Sequence, residues 1–168
     1  KRQEFYRSLK IKTSKNRYLK DTSNYVFIVG MPRSGSTLLE NILSLNPEVT
    51  DMGEVNFLEE SIKEAKDFED VYDLYEKKVI NQFQSSIIYT DKSLFNYMYC
   101  AVISNFFPKA KIINCIRNPL DNILSIYRAN FLKQSFSFSL TDISSLYVHY
   151  FETMEEYKIK YGENIYDY

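Results

Sequence analysis

Residues 30–37 read Gly-Met-Pro-Arg-Ser-Gly-Ser-Thr, a glycine loop with the spacing of a phosphate cradle. It lacks the lysine with which such loops reach the β- and γ-phosphates. Ser36 stands in that position, and an arginine, Arg33, has entered the loop. The backbone N–H groups of Ser34, Gly35, Ser36 and Thr37 would open a helix and point unpaired at an anion, with the helix dipole adding to the attraction. The loop is equipped to hold an anion and poorly equipped for a triphosphate. A plain strand-turn-helix, in which Pro32 and Gly35 only make the turn, fits the same eight residues.

Four further side chains could share chemistry with this loop. Arg117 directly follows an apolar run, and Ser125 comes eight residues later, two helical turns along the next helix. A guanidinium binds phosphate oxygens through two parallel hydrogen bonds, and a nearby hydroxyl would complete a second anion site. The alternative is an arginine paired with Asp121 on the surface. Lys92, behind Asp91, offers a mobile point charge for negative charge building on a transferred group, or is a solvated surface lysine. Glu54 ends a Met-Gly-Glu turn and could act as general base, or as a carboxylate at the start of the next helix.

These residues need a scaffold, and the hydrophobic pattern supplies one. Residues 25–29 form a short β-rich apolar run, and 37–45 have helical spacing. Asn46-Pro47 breaks the period, 49–53 reads as a short strand or extended loop, and helices are expected over 56–66 and 70–84. A second strand is expected over 86–89, then a helix over 94–106 stopped by Pro108. A third strand over 111–116 leads to a helix over 119–130 with Pro119 in its first turn, a serine-rich loop and a last helix over 142–160. Strands alternating with helices imply an α/β fold, a three-layer P-loop-like arrangement with a central parallel sheet flanked by helices. Ligands in such sheets gather beyond the carboxyl ends of the strands, so Arg33, Thr90, Lys92 and Arg117 should converge on one crevice.

At 168 residues the chain amounts to one domain, and 45% hydrophobic with 26% charged residues excludes disorder as the default. A net charge of −1 gives no global field for nucleic acid. Eight of the 21 basic residues nevertheless lie in the first twenty positions, against Glu4 alone among the acids. That arm could touch nucleic acid or a membrane surface, or serve as a solvated linker, and residues 1–24 are read as a basic linker or the end of a preceding segment. No stretch approaches the roughly 20 apolar residues of a membrane span. Cys100 and Cys115 sit in apolar surroundings without ligand spacing, which fits free buried thiols and a reducing, cytoplasmic location. His149 is the single histidine, so no metal site is expected.

As an ordered set, the segments 32–37, Gly53-Glu54, 90–92 with Asn96, and Arg117 with Ser125 resemble the sulfotransferases that use 3′-phosphoadenosine 5′-phosphosulfate. Within them the resemblance is to the tyrosylprotein sulfotransferases and the bacterial relatives that carry tetratricopeptide repeats. It covers residues 25–168, read as a sulfotransferase domain. The resemblance implies that Arg33 and the backbone of Ser34, Gly35, Ser36 and Thr37 bind the 5′-phosphosulfate, while Arg117 and Ser125 grip the 3′-phosphate. Glu54, seven residues after Pro47, falls on the catalytic base, and Lys92 on the lysine that steadies the transferred sulfuryl group. The acceptor would be a hydroxyl on a protein tyrosine, a carbohydrate or a small molecule, and no metal would take part. The cytosolic small-molecule branch uses a histidine base, and His149 lies outside the matching region, which favours the glutamate branch. The family closes over the nucleotide with a loop further along than residue 168, so weak nucleotide binding is expected of this segment alone. Two rival classes remain on the residues themselves: a nucleotide kinase or NTPase with a degenerate loop, and a non-catalytic nucleotide-binding module.

Overall fold

The computed structural model describes residues 24–84, 86–107, 109–129, 131 and 135–168. The basic arm, up to residue 23, and Pro108 lie outside the described residues. The apolar run becomes β1 (Asn24–Gly30), and the other strands are β2 (Val49–Asp51), β3 (Ile88–Asp91), β4 (Lys111–Cys115) and β5 (Ile165–Asp167). They form one sheet in the order β2-β3-β1-β4-β5, with every pairing parallel. The connecting helices are α1 (Ser36–Leu43), α2 (Phe57–Glu64), α3 (Val71–Gln82), α4 (Cys100–Phe106), α5 (Pro119–Ala129) and α6 (Leu140–Tyr161). The expected α/β architecture, a parallel sheet flanked by helices, is what the chain adopts.

The period-2 geometry of β1 divides its side chains between two cores. Tyr25, Phe27 and Val29 enter the larger core, while Ile28 faces a smaller one closed by Leu39 of α1 and Cys115 of β4. The larger core is aromatic: the Tyr25 ring lies 5.2–6.2 Å from those of Tyr72, Tyr75, Tyr89 and Phe107. Each such pair adds about 0.5–1.5 kcal/mol beyond the area it buries. Both cysteines are free and buried, and burial pushes the Cys115 thiol up to about 11, which keeps it inert.

Three elements differ from the sequence reading. The second strand runs two residues later than expected, with Thr90 and Asp91 paired to Val26 and Phe27. Asp91 tolerates that position because Tyr75 donates to it at 2.9 Å, the Ser93 amide at 3.0 Å and Asn96 at 3.2 Å. The helix expected over 94–106 is a 3₁₀ segment (Leu94–Tyr99) that passes into α4. The tail adds β5, whose three residues gave too short a pattern to read as a strand.

Gly30 fixes how closely the loop after β1 approaches β4. Its φ is +148°, and a Cβ there would meet the Cys115 carbonyl oxygen at 2.7 Å, backbone that cannot swing aside. Gly35, at φ +102°, is strained for other residues but faces open space. Gly30→Ala is therefore expected to destabilise the protein by about 2–4 kcal/mol, combining overpacking with backbone strain. Gly35→Ala should cost less, and equal losses in paired denaturation curves would contradict this account.

Candidate active site

The loop between β1 and α1 carries two residues with positive φ that aim its backbone. Gly35, the N-cap of α1, is left-handed and gives the helix no side-chain cap. Arg33, at φ +66°, is the one non-glycine residue with positive φ among the described residues. From behind, α5 and its leading turn hold the carbonyls. Arg117 Nη1 donates to the Arg33 carbonyl oxygen at 3.1 Å, and Asn122 Nδ2 donates to that of Pro32 at 2.9 Å. Arg33 Nε donates to Ser125 Oγ at 3.3 Å, while the Tyr147 hydroxyl donates to the Arg117 carbonyl at 3.3 Å. The Ser34 hydroxyl is buried and makes no hydrogen bond. An uncapped helix start, an orphaned hydroxyl and two exposed guanidinium-bearing residues make a site that fits an anion.

Lys92 is not a solvated lysine. Only 9% of its side chain is exposed, and its Nζ lies 2.9 Å from Glu54 Oε1 and 3.5 Å from Glu40 Oε2. Burial works to lower its pKa, but the hydrogen bond to Glu54 and the charges of Glu40 and Glu54 outweigh this and hold the ammonium above its ordinary range. Glu54 is not a cap: α2 begins from Asn56, and the carboxylate turns to Lys92 while its side chain stays 72% exposed. The turn carrying it is fixed by Gly53, at φ +65°, whose amide donates to Asp51 at 2.6 Å and whose carbonyl accepts from the Lys92 amide at 2.9 Å. Ser93 also bonds the Val55 carbonyl, tying the ends of β2 and β3 together.

One cleft of about 1090 Å³ collects these groups along the carboxyl edge of the sheet. Its walls include Arg33, Ser34, Gly35, Ser36, Thr37, Glu54 and Arg117. Lys92 reaches it through Glu54, and Ser125 through Arg33. Asn56, Glu59, Leu94, Phe95 and Met98 line it from the segments after β2 and β3, and Phe131 from the segment after α5. Arg117 makes no ion pair with Asp121 among the described residues.

Sequence reasoning missed four contributors: Glu40, Asp51, Asn122 and Tyr147. Glu40 lies one helical turn after Ser36, so the face that carries the loop also carries it, which was the available signal. It is 3% exposed, and burial first, then the neighbouring Asp51 carboxyl, push its pKa up to about 7. Asn122 is buried on α5, and nothing in its local sequence separates it from a surface amide.

Asp91 occupies the strand end at which a nucleotide-hydrolysing loop protein holds Mg²⁺. Here it is 1% exposed, and its oxygens are spent on Tyr75, Ser93 and Asn96. No cluster of three His, Cys, Asp or Glu suited to a metal occurs among the described residues. No helix among them is long and apolar enough to cross a membrane.

A family model described as Sulfotransferase domain matches residues 23–166. An uncharacterized protein of Aquifex aeolicus (strain VF5) is 27% identical over 169 residues, covering 84% of this chain. The chain spans 22% of that relative's length.

Two measurements check the site. Sulfate at millimolar concentration should raise the melting temperature by binding the folded state, less so at high ionic strength, and Arg117→Ala should abolish the effect. Glu40 and Asp91 are both raised to about 7 by burial, so the folded protein keeps protons that the unfolded chain has released. Their contribution to stability is therefore full below about pH 4 and lost as pH rises through 7. Urea unfolding from pH 5 to 8 should show stability falling, and a rise across that window would contradict the assignment.

Proposed function

Since the chain belongs to the sulfotransferase domain family, we propose that it moves a sulfuryl group from 3′-phosphoadenosine 5′-phosphosulfate to an acceptor hydroxyl, with Glu54 as general base. The observation that carries this reading is the single cleft in which Arg33, Arg117 and the uncapped start of α1 share walls with Glu54 and, behind it, Lys92. An anion site alone would serve a binding module. A carboxylate and a buried ammonium beside it supply what a group transfer to a hydroxyl needs.

The donor, when bound, offers a sulfuryl group on a phosphate leaving group. Everything else is positioning and charge, supplied by this chain. The amides of Ser34, Gly35, Ser36 and Thr37, with Arg33, would hold the 5′-phosphosulfate. Arg117 would hold the 3′-phosphate together with Ser125, whose hydroxyl already accepts from Arg33. Glu54 would take the proton of the acceptor hydroxyl as that oxygen bonds to sulfur, and the sulfur–phosphate oxygen bond breaks to release adenosine 3′,5′-bisphosphate. The Lys92 ammonium would steady negative charge on the group in flight. No Mg²⁺ is required, in keeping with a loop that has serine in place of lysine and an Asp91 turned into the core.

On this reading residues 25–168 are a sulfotransferase domain following a basic linker, nearest to the glutamate-based branch that includes the tyrosylprotein sulfotransferases. The acceptor is a hydroxyl of a protein tyrosine, a carbohydrate or a small molecule. Incubating the full-length protein with labelled donor and a panel of such acceptors should transfer label to one class. Glu54→Gln should lower kcat by about 10²–10⁴-fold while nucleotide affinity by calorimetry is kept. Unchanged turnover, or loss of nucleotide binding instead, would remove Glu54 as the base.

A further inference from the structure

Lys92 has two carboxylates, and their surroundings could hardly differ more. Glu54 is largely in solvent, whereas the Glu40 side chain is 4% exposed, beneath the ammonium on α1. Glu40 Oε1 is buried and accepts no hydrogen bond, and the Asp51 carboxylate is a neighbouring like charge. Burial and that neighbouring charge both disfavour ionisation of Glu40. In the structure its other oxygen, Oε2, lies 3.5 Å from Lys92 Nζ.

We infer that Glu40 is a positioning residue, the second counter-ion of Lys92, which holds the ammonium at the cleft whenever Glu54 is neutral. Glu54 becomes neutral when it takes a proton from an acceptor, so this role rests on the function proposed above. A buried ammonium left without a carboxylate would be driven toward water or lose its proton. With Glu40 behind it, the cation keeps a partner and stays where it is. To serve in this way Glu40 must itself be ionised.

The charged groups facing Glu40 are Asp51 from β2, Lys92 after β3 and, across Lys92, Glu54. Burial and Asp51 outweigh Lys92, so Glu40 titrates near neutrality and is protonated at acid pH. The form that can receive Lys92 therefore disappears as pH falls below about 7.

Two readouts on the full-length protein test this. The first does not need turnover: Lys92 is acylated with acetic anhydride across pH 7–11 and quantified by peptide mass spectrometry, with Lys158, paired to Glu155 and Asp167, as internal reference. In Glu40→Gln the midpoint of Lys92 acylation should fall, making the reaction several-fold faster at pH 8, while Lys158 is unchanged. A faster reaction at an unshifted midpoint would mean that the variant merely opens the site, and an unshifted midpoint of any kind overturns the inference. The second is the pH profile of kcat. Wild type should lose activity below about pH 7, and Glu40→Gln should have kcat lowered about tenfold, equivalent to 1.4 kcal/mol in the barrier, with no limb near 7 and KM for the donor little changed. Glu40→Asp should recover part of kcat. An unaltered profile in Glu40→Gln overturns the positioning role. A shifted acylation midpoint with no sulfuryl transfer in either protein would sink the proposed activity and leave the ion pair standing.

Discussion

The loop after β1 works because its two sets of backbone groups face opposite ways. Its carbonyls are held from behind by Arg117 and Asn122, so its amides are left to face the cleft. That division requires a left-handed Arg33 and Gly35 and a residue without a side chain at position 30, pressed against β4. Hydrogen bonds of this kind are worth about 1 kcal/mol each, which is comparable with the strain of a non-glycine residue in the left-handed region. The loop is thus held in place mainly by its neighbours on α5 and the turn before it, and Arg33 and Arg117, which line the cleft, are also residues that shape the loop.

The second organising feature is a cation taken out of water. Lys92 enters a nearly buried position only because carboxylates from two elements meet it there, one on α1 and one on the turn after β2. Parallel pairing makes this meeting unavoidable: β2 and β3 run together, Asp51 lies opposite Thr90, and the chain leaves both strands on the same edge. The Lys92 amide on the Gly53 carbonyl and Ser93 on Val55 then lock the two exits to each other. Sheet register, rather than any local motif, sets the distance between the Glu54 carboxylate and the Lys92 ammonium.

Much of this was legible in the sequence, for identifiable reasons. The loop announced itself through glycine spacing, and β1 and β4 through continuous apolar runs, because strands buried on both faces carry no polar alternation. Arg117 could be placed at a strand end for the same reason. Asp91 could not be placed in β3, since an aspartate ordinarily ends a strand, and the hydroxyl of Tyr75 that makes it tolerable comes from sixteen residues away. Glu40 shares a helix face with the loop, but its partners Asp51 and Lys92 belong to other elements and gave no local sign of the pairing. Charges that pair across elements leave no periodic trace, and it is these that the pattern concealed.

Tyr75 belongs at once to the aromatic core and, through Asp91, to the floor beneath Lys92. Its ring touches Tyr25, Phe27, Phe57 and Phe107, so that floor inherits the rigidity of the aromatic core. Asn56 and Glu59 on the rim carry no comparable obligation, whereas Phe95 is tied to the core through Tyr97 and Phe136. Evolutionary divergence in what the cleft accepts would therefore be confined to that rim, with the charged floor inherited intact by descendants that have changed their preferences.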